Sequence, residues 1–191
     1  MSKHIAGIDY SIGGPCVCVH PATGEWSIDN CKFLFLTGVK KNTGYFVYNG
    51  QKAEIAGLEF LKVYSLDTQR FLYNAQQFIN FMQLYDCESA RLEGYAFGAK
   101  GKVFNIAEAT GLLKYLMYKM GISFTVEIPS VIKKFATGKG NAKKDEMVDA
   151  FIQETGIDLY KLFEKDKVAN PMDDIADSYF ICKNLFNDIN N

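Results

Sequence analysis

Histidine is scarce in this sequence: only His4 and His20 occur, and neither lies in a ligand motif. Five cysteines are present, Cys16, Cys18, Cys31, Cys87 and Cys182, an odd number with no Cys-x-x-Cys spacing. Together these shortages argue against a zinc site. Most of the cysteines fall in apolar strand or helix patterns and read as small core residues. No apolar run approaches the roughly 18 residues of a transmembrane helix, and the start, Met1-Ser-Lys-His-Ile-Ala-Gly-Ile-Asp9, has no signal-peptide apolar region. A cytoplasmic protein without a membrane segment is the expectation. Internal repeats and low-complexity tracts are also lacking.

What is present is a core. Of 191 residues, 48% are hydrophobic and 14% aromatic, which excludes a disordered chain and favours one domain over residues 1–191. Residues 38–60 read as an insertion or an extension of the sheet edge, with Asn49-Gly50 as a hairpin turn. Net charge is only −1, but it is unevenly spread. Between Gly94 and Lys144, nine lysines face two glutamates, an excess of seven positive charges that leaves −8 for the remainder. Such asymmetry suggests a basic face toward a polyanion, although lysines on helix surfaces are also ordinarily just solvated.

Strand patterns come first: His4–Tyr10, Cys16–His20 and Cys31–Leu36, joined by turns into an antiparallel meander. Strands then alternate with helices. Asp67–Tyr85 carries an apolar stripe of Phe71, Ala75, Phe78, Ile79 and Met82. Ser89–Tyr95 is a strand. Val103–Met120 is a helix whose expected inward residues are Phe104, Ala107, Gly111, Leu112, Tyr115 and Leu116, with Gly111 permitting close approach to the sheet. Ile122–Ile128 is the next strand, followed by helices over 129–135 and 143–154, and a last helix opened by Pro171. This order predicts an α/β protein with a mixed sheet covered by helices.

Four acids fall at suggestive places. Asp9 ends the first strand and Glu93 lies in a later strand that can pair beside it. Asp174 and Asp177 are three apart at the start of the last helix, so they share a face, and Asp173 is expected to point elsewhere. Acids in a first helical turn also simply complement the helix dipole. A strand acid among apolar neighbours, however, is costly unless compensated. Four gathered carboxylates repel one another unless divalent cations sit among them. Oxygen ligands without cysteine or histidine favour magnesium, for which manganese can substitute. Such a site suits two-metal phosphodiester hydrolysis.

The run Ile132-Lys133-Lys134-Phe-Ala-Thr-Gly138-Lys139-Gly140-Asn-Ala-Lys143-Lys144 contains no acid. It lacks the Gly-Lys-Ser/Thr ending of a phosphate loop and the third glycine of a dinucleotide fingerprint. It reads as lysines contacting a nucleic-acid backbone, or else as a solvated basic loop. Lys100 and Lys102 add to the same positive region.

Ile5-Ala-Gly-Ile-Asp9, Leu92-Glu93, the Gly138-x-Gly-x-Ala-x-Lys144 run and Asn170-Pro171 with Asp174-x-x-Asp177 occur in the order found in RuvC-type Holliday junction resolvases. The segments around Glu93–Gly101 and Lys134–Lys144 resemble the phage-encoded branch most. The likeness covers most of the chain outside about residues 24–66. It implies a ribonuclease H-like five-stranded sheet of order 3-2-1-4-5 flanked by helices. It also implies a homodimer that nicks four-way DNA junctions in pairs with magnesium. By the resemblance, Asp9, Glu93, Asp174 and Asp177 would be metal ligands, and Lys144, with Lys133, would meet the scissile phosphate. DNA contacts would fall to Lys100, Lys102, Lys133, Lys134, Lys139, Lys143 and Lys144. RuvC proteins usually have Asp-Pro-Gly where this chain has Asp9-Tyr10-Ser11, and an aromatic residue where it has Ala96.

Three other readings stand beside this one. A broader branched-DNA or flap endonuclease would use the same fold. An actin-like ATPase would need a second phosphate loop and a longer chain. A non-catalytic junction-binding module would not need all four acids. Within the resolvase reading, Tyr118 and Met117, off the expected inward stripe, mark the helix over 103–120 as the dimer interface.

Overall fold

The computed structural model describes residues 3–37, 44–46, 55–59, 67–95 and 103–191. Ala96, Asn49-Gly50, Lys100 and Lys102 lie outside them. The chain runs β1 (His4–Asp9), β2 (Cys16–Pro21), β3 (Lys32–Thr37), β4 (Gly44–Phe46), β5 (Ile55–Glu59), α1 (Asp67–Leu84), β6 (Cys87–Glu93), α2 (Val103–Lys119), β7 (Ser123–Glu127), α3 (Pro129–Thr137), α4 (Lys144–Thr155), α5 (Leu159–Phe163) and α6 (Met172–Asn190). The described strands form one sheet of order β4-β5-β3-β2-β1-β6-β7. Its five-stranded part, β3-β2-β1-β6-β7, has the expected 3-2-1-4-5 order. β2 is antiparallel to β1 and β3, whereas β6 is parallel to β1 and β7 to β6. β5 joins β3 in parallel and β4 runs antiparallel to β5, extending the sheet edge.

Two-residue alternation along the strands divides the core into two layers. Ile5, Cys16, Cys18, Phe33 and Phe35 pack with α3, α4, α5 and α6. Ala6, Ile8, Val17, Val19, Leu34 and Leu36 pack with α1 and α2. Both faces of the sheet are therefore covered, so its central strands read as nearly continuous apolar runs. All five cysteines are free and buried. Among the described residues no helix is long and apolar enough to cross a membrane.

The α1 stripe is buried as expected. The α2 stripe is only partly so: Leu112 and Leu116 pack half-buried against the core, but the buried residues are Ala109, Thr110, Leu113 and Met117, and Phe104, Ala107 and Tyr115, expected inside, are exposed, as is Tyr118. The expected face was rotated, because α2 is apolar nearly all round and the sheet selects which side it covers. Gly111 is exposed, and a side chain added there would meet no atom within 4 Å, so it provides no close approach to the sheet.

One close approach sets the geometry of the site. Gly7 of β1 faces α6, and a Cβ on it would lie 2.1 Å from the Cys182 backbone nitrogen and 2.5 Å from the Ser178 carbonyl oxygen. Only glycine allows strand and helix to meet here. Asp9 is two residues beyond Gly7 on the same face, and Asp174 is one helical turn before Ser178. The packing of β1 on α6 thus carries strand acid and helix acids to the same end of the molecule.

Candidate active site

Asp9 and Glu93 are neighbours by register. Gly7 pairs with Arg91 and Ile8 with Leu92 in parallel alignment, so the next pair along the strands is Asp9 and Glu93. Adjacent strands lie about 4.8 Å apart. Arg91 faces α6, where it reaches Asn184 and Asp188, the latter at 2.7 Å. Glu93, two residues on, faces the same way. The N-terminal turn of α6 then closes the arrangement from above.

The result is a cavity of about 860 Å³ lined by Asp9, Glu93, Asp173, Asp174, Asp177, Lys133, Lys143 and Lys144, with Ser11, Gly14 and Asn170 on its wall. All four expected acids meet there. Of the expected lysines, Lys133, Lys143 and Lys144 line it. Lys134 is exposed outside the lining, and Lys139 is held by Glu146 at 2.9 Å. The helix order explains the gathering: Gly138 ends α3 in the left-handed region, and the chain reverses into α4 with Lys143 at its cap.

Asp173 corrects the expectation that it points elsewhere. It is buried, lines the cavity and is ion-paired with Lys144. In the first turn of a helix, side chains project past the end as well as off the side, so helical spacing alone misplaces them. Sequence reasoning also missed the support for Asp174. The Asn170 amide donates to Asp174 Oδ2 at 2.5 Å, and the Thr37 hydroxyl donates to Asn170 Oδ1 at 3.3 Å. Gly14 leaves room for this pair, since a Cβ there would fall 1.6 Å from Asn170 Nδ2 and 2.8 Å from Asp174 Oδ2. The Asn-Pro step before the acids was the only sequence signal for it.

Electrostatics follow from burial. Burial, and then the charges of Glu93, Asp174, Asp177 and Asp173, push Asp9 well above the usual carboxylate range. Burial with repulsion from Asp173 raises Asp174 to about 7, despite Lys144 and the Asn170 hydrogen bond. Burial with Glu93, Asp173 and Asp174 raises Asp177 to about 8. Burial raises Glu93 as well, opposed by Lys133 and Lys144. The hydrogen bond to Asp173 raises Lys144, which stays charged.

Five clustered carboxylates with three lysines lack enough positive charge to be ionised together. That deficit, in a set of oxygen donors alone, fits a hard divalent cation. Among the described residues no three acidic, cysteine or histidine side chains are drawn tightly enough to enclose an ion. The acids line the cavity from β1, β6 and α6, so holding one ion together would take rotation of their side chains.

No family model matches the sequence. A curated relative, the crossover junction endodeoxyribonuclease RuvC of Synechococcus sp. (strain CC9311), is 26% identical over 90 residues, covering 47% of this chain and 56% of that protein. The chain thus aligns with just over half the length of that relative. Among solved structures, RuvC from Thermus thermophilus in complex with a Holliday junction substrate matches with a TM-score of 0.62 at 14% identity, over 98% of this chain and 94% of that one. The fowlpox virus resolvase, solved with substrate Holliday junction DNA, matches with a TM-score of 0.54 at 14% identity, over 99% and 100% of the two chains. The chain has the ribonuclease H-like fold in the arrangement of the RuvC-type Holliday junction resolvases.

Proposed function

We propose that this protein is a structure-specific endonuclease that resolves four-way DNA junctions by paired phosphodiester nicks, with magnesium as its cofactor. The carrying observation is the convergence of Asp9, Glu93, Asp174 and Asp177 with Lys144 on one cavity at the ends of β1, β6 and α6. The similarity to RuvC and to resolvases solved with junction DNA supports the substrate class. Residues 1–191 act as one nuclease domain, with β4 and β5 as its sheet extension.

Asp9, Glu93, Asp174 and Asp177 would hold the divalent cations, which when bound would supply an activated water and charge stabilisation at the departing 3′ oxygen. Asn170 fixes the rotamer of Asp174. Lys144 faces the reacting phosphate and offsets the charge that grows on it. Lys133 and Lys143 at the cavity, with Lys134 and Lys139 outside it, hold the DNA backbone, as do Lys100 and Lys102. The four acids and Lys144 therefore set rate, and the other lysines mainly set affinity.

Paired nicks require two sites, which a two-fold homodimer supplies. The exposed face of α2 suits the interface. Phe104, Tyr115 and Tyr118 are 77%, 58% and 78% exposed. With Gly111 they fall at helical spacing on one side, with Gly111 as a gap that a partner side chain can enter. Met117 is buried and has no part in it.

The test is cleavage of end-labelled four-way junctions with magnesium and with chelator, beside Y-forks and flaps. Cutting confined to four-way junctions supports the reading. Equal cutting of forks and flaps points to the broader branched-DNA nuclease, and binding without cutting to a non-catalytic module.

A further inference from the structure

Lys144 is not free in this structure. Its ammonium is ion-paired with Asp173, 29 residues away. The two ends of the pair differ in exposure: the Asp173 side chain is 8% exposed and that of Lys144 73%. The carboxylate is fixed from the protein side, in the first turn of α6, where the helix dipole favours an anion. The ammonium keeps its outer side open to solvent, where a phosphate can approach. Lys144 itself is the first residue of α4, where the helix dipole disfavours a cation. Asp173 is the group that orients it.

We propose that Asp173 is a positioning residue. Its buried carboxylate tethers Lys144 at the cavity mouth, so the lysine meets the scissile phosphate already placed. The role rests on the nuclease reading above, and it differs from that of the four other acids: Asp173 acts through Lys144 and not on the cations. An untethered lysine has many rotamers, and ordering it only in the transition state forfeits the advantage of prior placement. Asp173 therefore affects the rate of cutting rather than the affinity for DNA.

The test compares Asp173→Asn, Lys144→Ala and the double variant in single-turnover junction cleavage with magnesium. Junction affinity is measured in calcium, and manganese affinity by calorimetry without DNA. Asp173→Asn is expected to slow cutting about tenfold, with both affinities within about twofold of wild type, and to slow Lys144→Ala no further. Asp173→Glu restores part of the rate. Loss of manganese affinity in Asp173→Asn, comparable to that in Asp174→Asn, would overturn the proposal by making Asp173 a ligand. Multiplied losses in the double variant would overturn it by making Asp173 independent of Lys144. A readout apart from cleavage is the acylation rate of Lys144 relative to Lys119, followed by mass spectrometry. Asp173→Asn is expected to change it at least threefold, and no change contradicts the tether. If the wild type cuts no junction while Asp173→Asn still alters Lys144 labelling, the tether stands and the nuclease reading falls, taking the catalytic positioning role with it.

Discussion

Gly7 of β1 lies against the backbone of Cys182 in α6, so closely that a methyl group on Gly7 would come within 2.1 Å of the Cys182 nitrogen. This contact joins the strand that carries Asp9 to the helix that carries Asp174 and Asp177. Backbone atoms form the obstruction, so no side-chain rotation relieves it. Gly7→Ala is therefore expected to cost about 3 kcal/mol, at the upper end of overpacking effects. The shift of the chemical-denaturation midpoint measures it. A shift equivalent to less than about 1 kcal/mol would mean that α6 slides freely on β1.

Gly14 gives a contrasting case. The atom that an added methyl meets there, Asn170 Nδ2 at 1.6 Å, belongs to a side chain that can move. Moving it breaks the hydrogen bond to Asp174. Gly14→Ala is expected to leave the fold nearly as stable but to weaken manganese binding about tenfold, the cost of a displaced supporting residue. Asn170→Ala should do the same, and the double variant little more. Calorimetry on the three proteins checks this, and unchanged affinity in Gly14→Ala would remove Asn170 from the site.

Several parts of this architecture were readable from the sequence and others were not, for definite reasons. The strands β1, β2 and β3 are legible as short, nearly continuous apolar runs bounded by turn residues, and the α1 stripe because helical spacing leaves one choice of face. In α2, Phe104, Leu112, Leu113, Leu116, Met117 and Tyr118 leave more than one face apolar. Only the sheet decides that Leu113 and Met117 go in. Asp9 and Glu93 were legible because carboxylates in apolar strands need an explanation, and Asp174 and Asp177 because a spacing of three puts them on one helix face. Asp173 was misread because side-chain directions at a helix end depart from the helical wheel. The Thr37–Asn170–Asp174 chain and the room at Gly14 depend on distant segments meeting, which no local pattern encodes.

The raised carboxylates predict a pH dependence with a fixed sign. Asp174 and Asp177, at about 7 and 8, hold protons in the folded state that the unfolded chain has released. Their stabilising effect is full below the ordinary carboxylate range and is lost as pH rises through those values. The thermal midpoint of metal-free protein is expected to fall between pH 5 and 8.5, measured in chelator. Magnesium competes with these protons, so its stabilisation should be larger at pH 8.5, reaching about 2.7 kcal/mol at a hundred times its dissociation constant. Equal stabilisation at both pH values contradicts a carboxylate cation site.

The exposed aromatic face of α2 predicts the assembly. At micromolar concentration the wild type is expected to sediment as a dimer, and Tyr118→Glu, which puts a charge among exposed aromatic residues, as a monomer of unchanged secondary structure. A dimer unaffected by Tyr118→Glu removes α2 from the interface.

Paired cutting is the central claim, and a supercoiled plasmid that extrudes a cruciform tests it most directly. Two nicks made within one bound complex linearise such a plasmid, whereas a single nick relaxes it and removes the cruciform before a second cut. With magnesium, the account predicts linear product as the first product, no product from Asp9→Asn or Asp177→Asn, and nicked circles from dimers with one inactivated protomer. Nicked circles as the first product of the wild type, or linear product from either acid variant, would contradict it.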